Sequence, residues 1–324
     1  MKMNSMRWTV VLGLALVAVA LALSWHIGPA RGLPREAILE LRMARTLLGL
    51  GVGALLATSG CMLQTLFRNP LCEPTTLGLS AGAALGCVVT LSLGWAGYVW
   101  IGSLGGFAGT VLFGGIILWT ASKPSVRDEG LILVGLLMGL VGSSLVALWM
   151  ALSDAQGIAN AIFWMTGDLG RYGFTTGILI LCLAVLSVML GLMQSRRLDC
   201  LLWGREAATS LGINVHRFRF QMLMLVALQV ALAVSVAGMI GFVGLVVPWM
   251  IRLAVGSLHR RVILASAIWG GALLALADLV ARSLVSDRVV PVGVVTTILG
   301  APLLVVLVSG ARKRRTSPGA VYGV

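Results

Sequence analysis

A short motif, Gly78-Leu-Ser80-Ala-Gly82, is the first candidate for bond chemistry in this sequence. The spacing G-x-S-x-G can present a nucleophilic serine, but such a serine needs a strand-turn-helix setting with acid and histidine partners. In a membrane helix it would need a histidine at its own depth, whereas all three histidines lie near the ends of apolar segments: His26, His216 and His259. We therefore interpret Ser80 as a helix-packing residue, with an intramembrane serine protease as a remote alternative.

Metal and nucleotide chemistry are not indicated either. No histidine has a second ligand three or four residues away, as a helical metal site would require. A phosphate-binding loop needs G-x-x-x-x-G-K-[ST], and none of the three lysines follows a glycine: Lys2, Lys123 and Lys313. We expect no catalytic residue, no metal ligand and no cofactor on this chain, so any ATP must be hydrolysed elsewhere.

Buried carboxylates would mark an ion-coupled carrier, and Asp278 is the one clear candidate within an apolar segment. It precedes Arg282 by four residues, so the two side chains share a helix face and can form an ion pair. This pairing disfavours an ion-coupled secondary transporter, which stays open as the main alternative function.

The elements that must position these residues are membrane helices. Of the 324 residues, 59% are hydrophobic and 11% charged, and the mean hydropathy is +1.01. A soluble domain carries roughly 25% charged residues, so we predict one all-α, polytopic membrane domain over residues 1–324. Apolar runs long enough to cross a bilayer predict ten transmembrane helices, at about 8–25, 46–66, 75–93, 97–119, 130–152, 174–193, 219–237, 240–256, 261–284 and 292–310. The first run is interpreted as a span rather than a signal peptide.

The basic residues predict the orientation of these spans. The net charge of +13 is scattered over short loops, which argues against nucleic-acid binding. With both termini in the cytoplasm, inner loops hold most of the basic residues, as the positive-inside rule requires. The predicted outer side holds seven: Arg31, Arg35, Arg42, Arg45, Arg171, Arg282 and Arg288. Four of them fall in the segment before the second span, which indicates an anionic partner outside.

Two further segments have distinctive patterns. Three glycines and a proline between Ala237 and Pro248 predict a broken helix at membrane depth, which is tolerated where the exposed backbone is buried in protein or lines a cavity. The inner loop at about 194–218 contains a short helix that ends at Gly212, and it is suited to dock in a groove of another protein. Its alternative is a plain amphipathic connector.

Four stretches together resemble the FecCD family, the permease subunits of ABC importers for iron-siderophores, haem and vitamin B12. The first runs from Arg42-Met-Ala-Arg45 through Arg68-Asn-Pro-Leu-Cys-Glu-Pro74 to Leu77-Gly-Leu-Ser-Ala-Gly82. The second is Gly204 to Gly212, the third is Gly241-Phe-Val-Gly-Leu-Val-Val-Pro248, and the fourth joins Ala277-Asp-Leu-Val-Ala-Arg282 to Val290–Pro302.

This resemblance implies a type II ABC importer permease fold in the bacterial inner membrane, working as a homodimer. Two cytosolic ATPase subunits would hold ATP and Mg²⁺, and a periplasmic or lipoprotein substrate-binding protein would deliver a metal chelate. The expected cargo is an iron-siderophore or haem, or else cobalamin, carried by alternating access.

The resemblance also implies roles for individual residues. Arg42, Arg45 and Arg282 would dock the binding protein, and Asn69, Pro70 and Leu71 would form the cytoplasmic gate. The ATPase-coupling residues would be Gly204, Glu206, Ala207, Ala208, Leu211 and Gly212. The sequence departs from the family pattern at Ala44, where proline is usual, and at Trp249, where histidine is usual.

Overall fold

The computed structural model describes residues 2–27, 34–93, 99–123, 126, 128–284 and 290–314, so Arg31 and Arg288 lie outside the described residues. Within these ranges the chain forms thirteen α-helices and a 3₁₀ turn at Pro74–Leu77. The helices are α1 (Lys2–His26), α2 (Arg35–Leu66), α3 (Leu79–Ser92), α4 (Val99–Ala121), α5 (Asp128–Leu152), α6 (Ala155–Met165), α7 (Phe174–Met193), α8 (Ser195–Leu202), α9 (Arg205–Ser210), α10 (Val215–Ala237), α11 (Val243–Val255), α12 (His259–Leu284) and α13 (Val292–Arg314).

Ten of these helices coincide with the ten predicted spans. Seven are long and apolar enough to cross a membrane, and three shorter apolar helices occupy the other predicted positions, at Leu79–Ser92, Val243–Val255 and Val292–Leu307. The chain is therefore an all-helical, multi-pass membrane protein.

Several helices begin at residues other than the approximate span starts, and two of these differences have a clear local cause. The second span was expected to begin near residue 46, but α2 begins at Arg35, directly after Pro34, whose φ of −57° suits a helix start. Helix α10 begins at Val215 rather than near 219, because the Asn214 side chain caps it by accepting the N–H of Arg217.

Helix α6 was not predicted. It occupies part of the connector between the fifth and sixth predicted spans, and the Asp154 carboxylate caps it by accepting the Gly157 N–H at 3.0 Å. At eleven residues it is too short to span a bilayer. Asp154 followed by apolar residues was the signal that could have revealed it.

Helix α2 is the central helix, and nearly all of its residues from Leu48 onward are buried. It packs against α12, α7, α10 and α11. Where α2 crosses α12, a Cβ added to Gly53 would lie 2.6 Å from the carbonyl carbon of Gly270 and 2.9 Å from the Cα of Gly271. Such backbone contact is how membrane helices associate without a hydrophobic driving force between them.

The predicted helix break is confirmed. Helix α10 ends at Ala237 and α11 begins at Val243, and both Gly238 (φ 71°) and Phe242 (φ 68°) adopt left-handed backbone conformations. Phe242 is a bulky residue in a region that favours glycine, so the surrounding structure must impose this conformation.

Candidate docking, gate and coupling regions

Four charged side chains form a compact group, here called the arginine cluster: Arg45, Asp168, Asp278 and Arg282. Asp278, fully buried on α12, lies 2.6 Å from Arg45 Nη2 and 3.2 Å from Arg282 Nε. Arg45 Nη2 also lies 3.8 Å from Asp168. The predicted Asp278–Arg282 pair is thus confirmed, and Asp278 additionally links α12 to α2.

Two hydroxyl groups also contact Arg282. Its Nη2 atom donates to Thr46 Oγ1 at 3.2 Å and to Ser24 Oγ at 3.3 Å, and these two hydroxyls lie 2.6 Å apart. Buried charges of this kind are tolerated only when they are paired and hydrogen-bonded. The cluster therefore fastens α1, α2 and α12 together at one end.

The three arginines predicted to dock a partner have different exposures. Arg282 is 5% exposed, and the side chain of Arg45 is 13% exposed. Arg42 is half-buried one turn away and donates from Nη1 to the Trp25 carbonyl at 3.0 Å. Arg45 and Arg282 thus share Asp278, whereas Arg42 lies beside these two arginines and bonds to the Trp25 carbonyl instead. Their docking role stays a prediction.

Asp168 was not identified from the sequence. It lies in the loop between α6 and α7, where its Oδ1 atom accepts the Gly170 N–H at 2.8 Å and its own N–H donates to the Ala237 carbonyl. Arg171 Nε approaches its second carboxylate oxygen at 3.6 Å. The arginine cluster is therefore also joined to the end of α10.

The other end of α2 leads into the predicted gate loop, Asn69–Leu71. The Asn69 side chain accepts the Leu71 N–H at 3.0 Å, and the Leu71 side chain is 47% exposed. Arg68, with φ 48°, turns the chain out of the helix. An Asn-Pro pair favours such a turn, and the gating role of this loop stays a prediction.

Two residues beside the gate loop, Cys72 and Glu73, are shielded from solvent. Burial raises the pKa of the Cys72 thiol to about 11. Burial also raises the pKa of Glu73, against hydrogen bonds from the Thr75 hydroxyl, at 2.5 Å, and from the Phe242 N–H. Glu73 thereby connects the gate loop to the break between α10 and α11.

Helix α2 also holds the first turn of α11. Gln64 donates to the Leu245 carbonyl at 3.1 Å and accepts from Arg252, whose Nη2 atom donates to the Cys61 carbonyl at 3.0 Å. Arg252, half-buried on α11, thus bonds to both backbone and side chain of α2, a role that its position in an apolar run did not reveal.

The predicted coupling segment, residues 194–218, folds as α8, the short α9 and the start of α10. Gly204 (φ 118°) precedes α9 and Gly212 (φ 80°) follows it, which confirms the short helix ended by glycine. Glu206 and Leu211 are exposed, Leu211 by 67%, and Ala207 is half-buried. Ala208 is fully buried, so within the predicted set its side chain packs inward.

The geometry around Ser80 supports its packing role. Ser80 lies in the first turn of α3, two residues before Gly82. A Cβ added to Gly82 would lie 2.6 Å from the Gly109 carbonyl oxygen, and one added to Gly86 would lie 2.7 Å from the Gly105 carbonyl carbon. Helices α3 and α4 therefore approach closely at these glycines, as small residues at membrane-helix interfaces allow.

Most of the chain matches known permeases. The model of the FecCD transport family matches residues 8–310. The chain belongs to the FecCD transport family. A hemin transport system permease protein, HmuU of Yersinia pestis, is 36% identical over 90% of this chain and 86% of its own length. A vitamin B12 import system permease protein, BtuC of Vibrio parahaemolyticus, is 35% identical over 84% and 82%.

Solved structures agree with this family assignment. A metal-chelate type ABC transporter in an inward-facing conformation superposes with a TM-score of 0.84 at 28% identity, covering 92% of this chain and 97% of that one. PsaBC from Streptococcus pneumoniae, at 17% identity and a TM-score of 0.57, shares the fold. The FecCD chain described here is therefore an ABC-transporter permease, a transport component.

The two departures from the usual FecCD pattern have structural settings. Ala44 is fully buried inside the continuous helix α2, and its carbonyl lies close to Gly177 of α7. A proline there would clash with the preceding helical turn, whereas with Ala44 helix α2 is continuous between the two arginines. Trp249 is half-buried on α11, directly after the buried Pro248.

Proposed function

We propose that this chain is the permease subunit of a bacterial importer that carries an iron chelate, haem or an iron-siderophore, or else cobalamin, into the cytoplasm. Its closeness to a hemin permease over 90% of the chain carries this proposal. The chain would provide an alternating-access path, and hydrolysis of ATP with Mg²⁺ would take place on separate ATPase subunits.

The two ends of the α2–α12 pair support a division between outside and inside. Arg45 and Thr65 on α2 are twenty residues apart, which is about 30 Å along a helix and equals the thickness of a bilayer core. In our proposal the arginine cluster lies at the outer face of the inner membrane, α9 lies in the cytoplasm, and both termini are cytoplasmic.

The outer face would bind a periplasmic or lipoprotein substrate-binding protein. Three arginines of this end, counting Arg171, share two carboxylates, and Arg42 adds a fourth positive charge. Arginines at this face suit acidic residues on a partner, and such complementarity mainly sets specificity and association rate.

The cytoplasmic face would bind two ATPase subunits. Large apolar side chains flank α9, with Trp203 66% exposed and Leu211 67% exposed, beside the exposed Glu206. An apolar anchor beside a charge is the composition expected of a protein interface.

A second copy of the chain would cover one side of α5. Ser143 and Ser144 are exposed in the middle of this otherwise apolar helix. At that depth a hydroxyl group is less favourable facing lipid than at a helix interface or in a polar cavity. The position of the two serines therefore supports a homodimer with α5 near its centre.

Reconstitution tests the proposed function directly. The chain would be co-purified with its ATPase and binding protein, placed in liposomes, and assayed for uptake of haem, an iron-siderophore and cobalamin side by side. We expect ATP-dependent uptake of one of the three. Uptake that persists with a hydrolysis-deficient ATPase would instead identify a secondary carrier.

A second experiment tests the outer face. Replacing Arg42 with glutamate should weaken binding-protein docking on the order of tenfold at low salt and less at high salt, because exposed charges are screened. Arg260→Glu, an exposed site at the first turn of α12 on the opposite end, is the matched control. Equal docking affinity of the two variants would show that Arg42 does not belong to the docking interface.

A further inference from the structure

Three side chains connect α8 to the end of α2, and none of them belongs to the surfaces described above. Asp199 lies on α8, His259 is the first residue of α12, and Thr65 lies in the last turn of α2. Asp199 Oδ1 accepts the backbone N–H of His259 at 2.8 Å and contacts its Nδ1 atom at 2.7 Å. His259 Nε2 lies 2.6 Å from Thr65 Oγ1. We call these three residues the relay.

The relay has one consistent hydrogen-bond arrangement when His259 is neutral. An ionised carboxylate only accepts hydrogen bonds, so the proton of the imidazole resides on Nδ1 and is donated to Asp199. Nε2 then accepts the hydroxyl proton of Thr65, in place of the Cys61 carbonyl that lies 3.0 Å from the same hydroxyl oxygen. The ring is fully buried, so neither of its bonds can be exchanged for one to bulk water without cost.

The relay continues into α11 and back to α8. Arg252 Nη2 lies 3.4 Å from Thr65 Oγ1 and also donates to the Cys61 carbonyl, while its other amino group reaches Gln64. On the second side, Arg68 Nη2 donates to the Leu201 carbonyl of α8 at 3.1 Å. Helix α8 is therefore attached to the end of α2 at two points.

Position along the chain gives these contacts a functional direction. Asp199 precedes the start of α9 by six residues, and Thr65 precedes the gate loop by four. A displacement of α8 and α9 therefore reaches Asn69–Leu71 through two hydrogen bonds and one helical turn. By contrast, the covalent path between the same two sites runs through more than 100 residues of intervening helices.

We infer that Asp199, His259 and Thr65 are positioning residues that transmit movement of the ATPase-docking helices α8 and α9 to α2 and the gate loop. This inference rests on the proposed function, in which α9 contacts the ATPase. The residues touch neither cargo nor nucleotide, so their loss should change the ratio of ATP hydrolysed to cargo imported more than it changes hydrolysis itself.

The test uses the reconstituted complex and the cargo that the wild type imports. Asp199→Ala and Thr65→Val should raise the number of ATP molecules hydrolysed per cargo molecule about tenfold, within the usual range of coupling between two sites. Asp199→Asn should stay close to the wild type, because an amide Oδ1 can still accept both bonds. Thr120→Val is the control, since among the described residues the Thr120 hydroxyl bonds within its own helix α4, to the Ile116 carbonyl at 2.7 Å.

Two histidine variants separate the two bonds of the ring. The amide nitrogen of His259→Asn can replace Nδ1 and keep the bond to Asp199, whereas the longer His259→Gln can reach Thr65 instead. Because movement must pass through both bonds of the ring in turn, each variant should uncouple ATP hydrolysis from import. If Asp199→Ala does not assemble with the ATPase, Thr65→Val and these two variants still decide the question.

Distinct results would overturn the inference and the proposed function. An unchanged ratio in assembled Thr65→Val and His259→Asn complexes would overturn the relay while leaving the importer intact. A wild-type complex without ATP-dependent uptake would overturn the proposed function instead. If Asp199→Asn raises the ratio of ATP hydrolysed to cargo imported as much as Asp199→Ala does, the relay depends on charge rather than geometry. That result would contradict the transmission through hydrogen bonds.

Discussion

The contact between α2 and α11 at Gly60 should be among the least tolerant positions in the protein. A Cβ added to Gly60 would lie 2.5 Å from the carbonyl carbon of Gly244 and 2.8 Å from its Cα, and closer still to the carbonyl oxygen. These are backbone atoms at the start of α11, so no side chain can rotate away. Gly60→Ala must push the two helices apart by roughly 1.5 Å to reach ordinary contact distances.

The expected cost follows from what this separation disrupts. Overpacking of a well-packed interior costs about 1 to 3 kcal/mol. Gln64 lies one turn further along α2 and donates to the Leu245 carbonyl at 3.1 Å and, more weakly, to that of Gly244 at 3.4 Å. Loss of these bonds adds about 1 kcal/mol each. We therefore expect Gly60→Ala to lower the free energy of unfolding by about 3 to 5 kcal/mol.

Unfolding of the detergent-solubilised chain, followed by circular dichroism during denaturant titration, measures this difference. Gly115→Ala is the matched control, because Gly115 is exposed on α4 and an added Cβ would meet no atom within 4 Å. That control should be neutral or up to about 1 kcal/mol stabilising, since alanine favours a helix over glycine. Equal midpoints for the two variants would refute the close approach of α2 and α11.

Three further predictions use the same preparation. Asp278→Ala should lower the free energy of unfolding by about 3 to 5 kcal/mol, because it leaves Arg45 and Arg282 buried without their shared carboxylate; a smaller loss than that of Asp154→Ala, an exposed helix cap, would contradict the pairing. The pKa of Cys72 is raised to about 11 from 9.0, so at pH 8 its thiol should react with a maleimide ~100-fold more slowly than an exposed thiol does. Opening of the gate loop should abolish this protection. Fast labelling of the closed, folded chain would refute the burial of Cys72. Burial raises the pKa of Glu73 in the folded chain above its unfolded value of 4.5. The free energy of unfolding should therefore fall as pH rises from that value through the folded pKa, and Glu73→Gln should remove this decline. An identical pH profile for the wild type and the variant would count against the raised pKa.

The sequence predicted the helices far better than their ends. Ten apolar runs were long enough to mark ten spans, because lipid requires every backbone group to be bonded within its own helix. The start of α2 was missed because the polar residues from Arg35 onward gave no apolar signal, although Pro34 marks the position. Helix α6 was missed because its eleven residues are fewer than a helix needs to cross a bilayer, and only runs long enough to do so were predicted as spans.

The candidate site was only partly predictable for a different reason. Asp278 and Arg282 are one helical turn apart, so their pairing follows from spacing alone. Their contact with Arg45 joins residues more than 200 positions apart, and the Asp199–His259 contact joins residues 60 apart. Such pairs depend on how helices pack, which is set here by glycine contacts such as Gly53 against Gly270, and no local pattern specifies them.

The packing of α2 against α12 explains how the two ends of this permease can act on each other. The arginine cluster joins these helices at one end, through Asp278, and the relay joins them at the other, through His259 and Thr65. Between the two, backbone contact at Gly53 and Gly270 leaves no space for the helices to slide independently. A force applied at either end therefore moves the pair as one body about 30 Å long. In the proposed function, binding at the outer cluster and movement of α8 act on the same two helices, so separating those helices by Gly53→Ala should weaken both effects together.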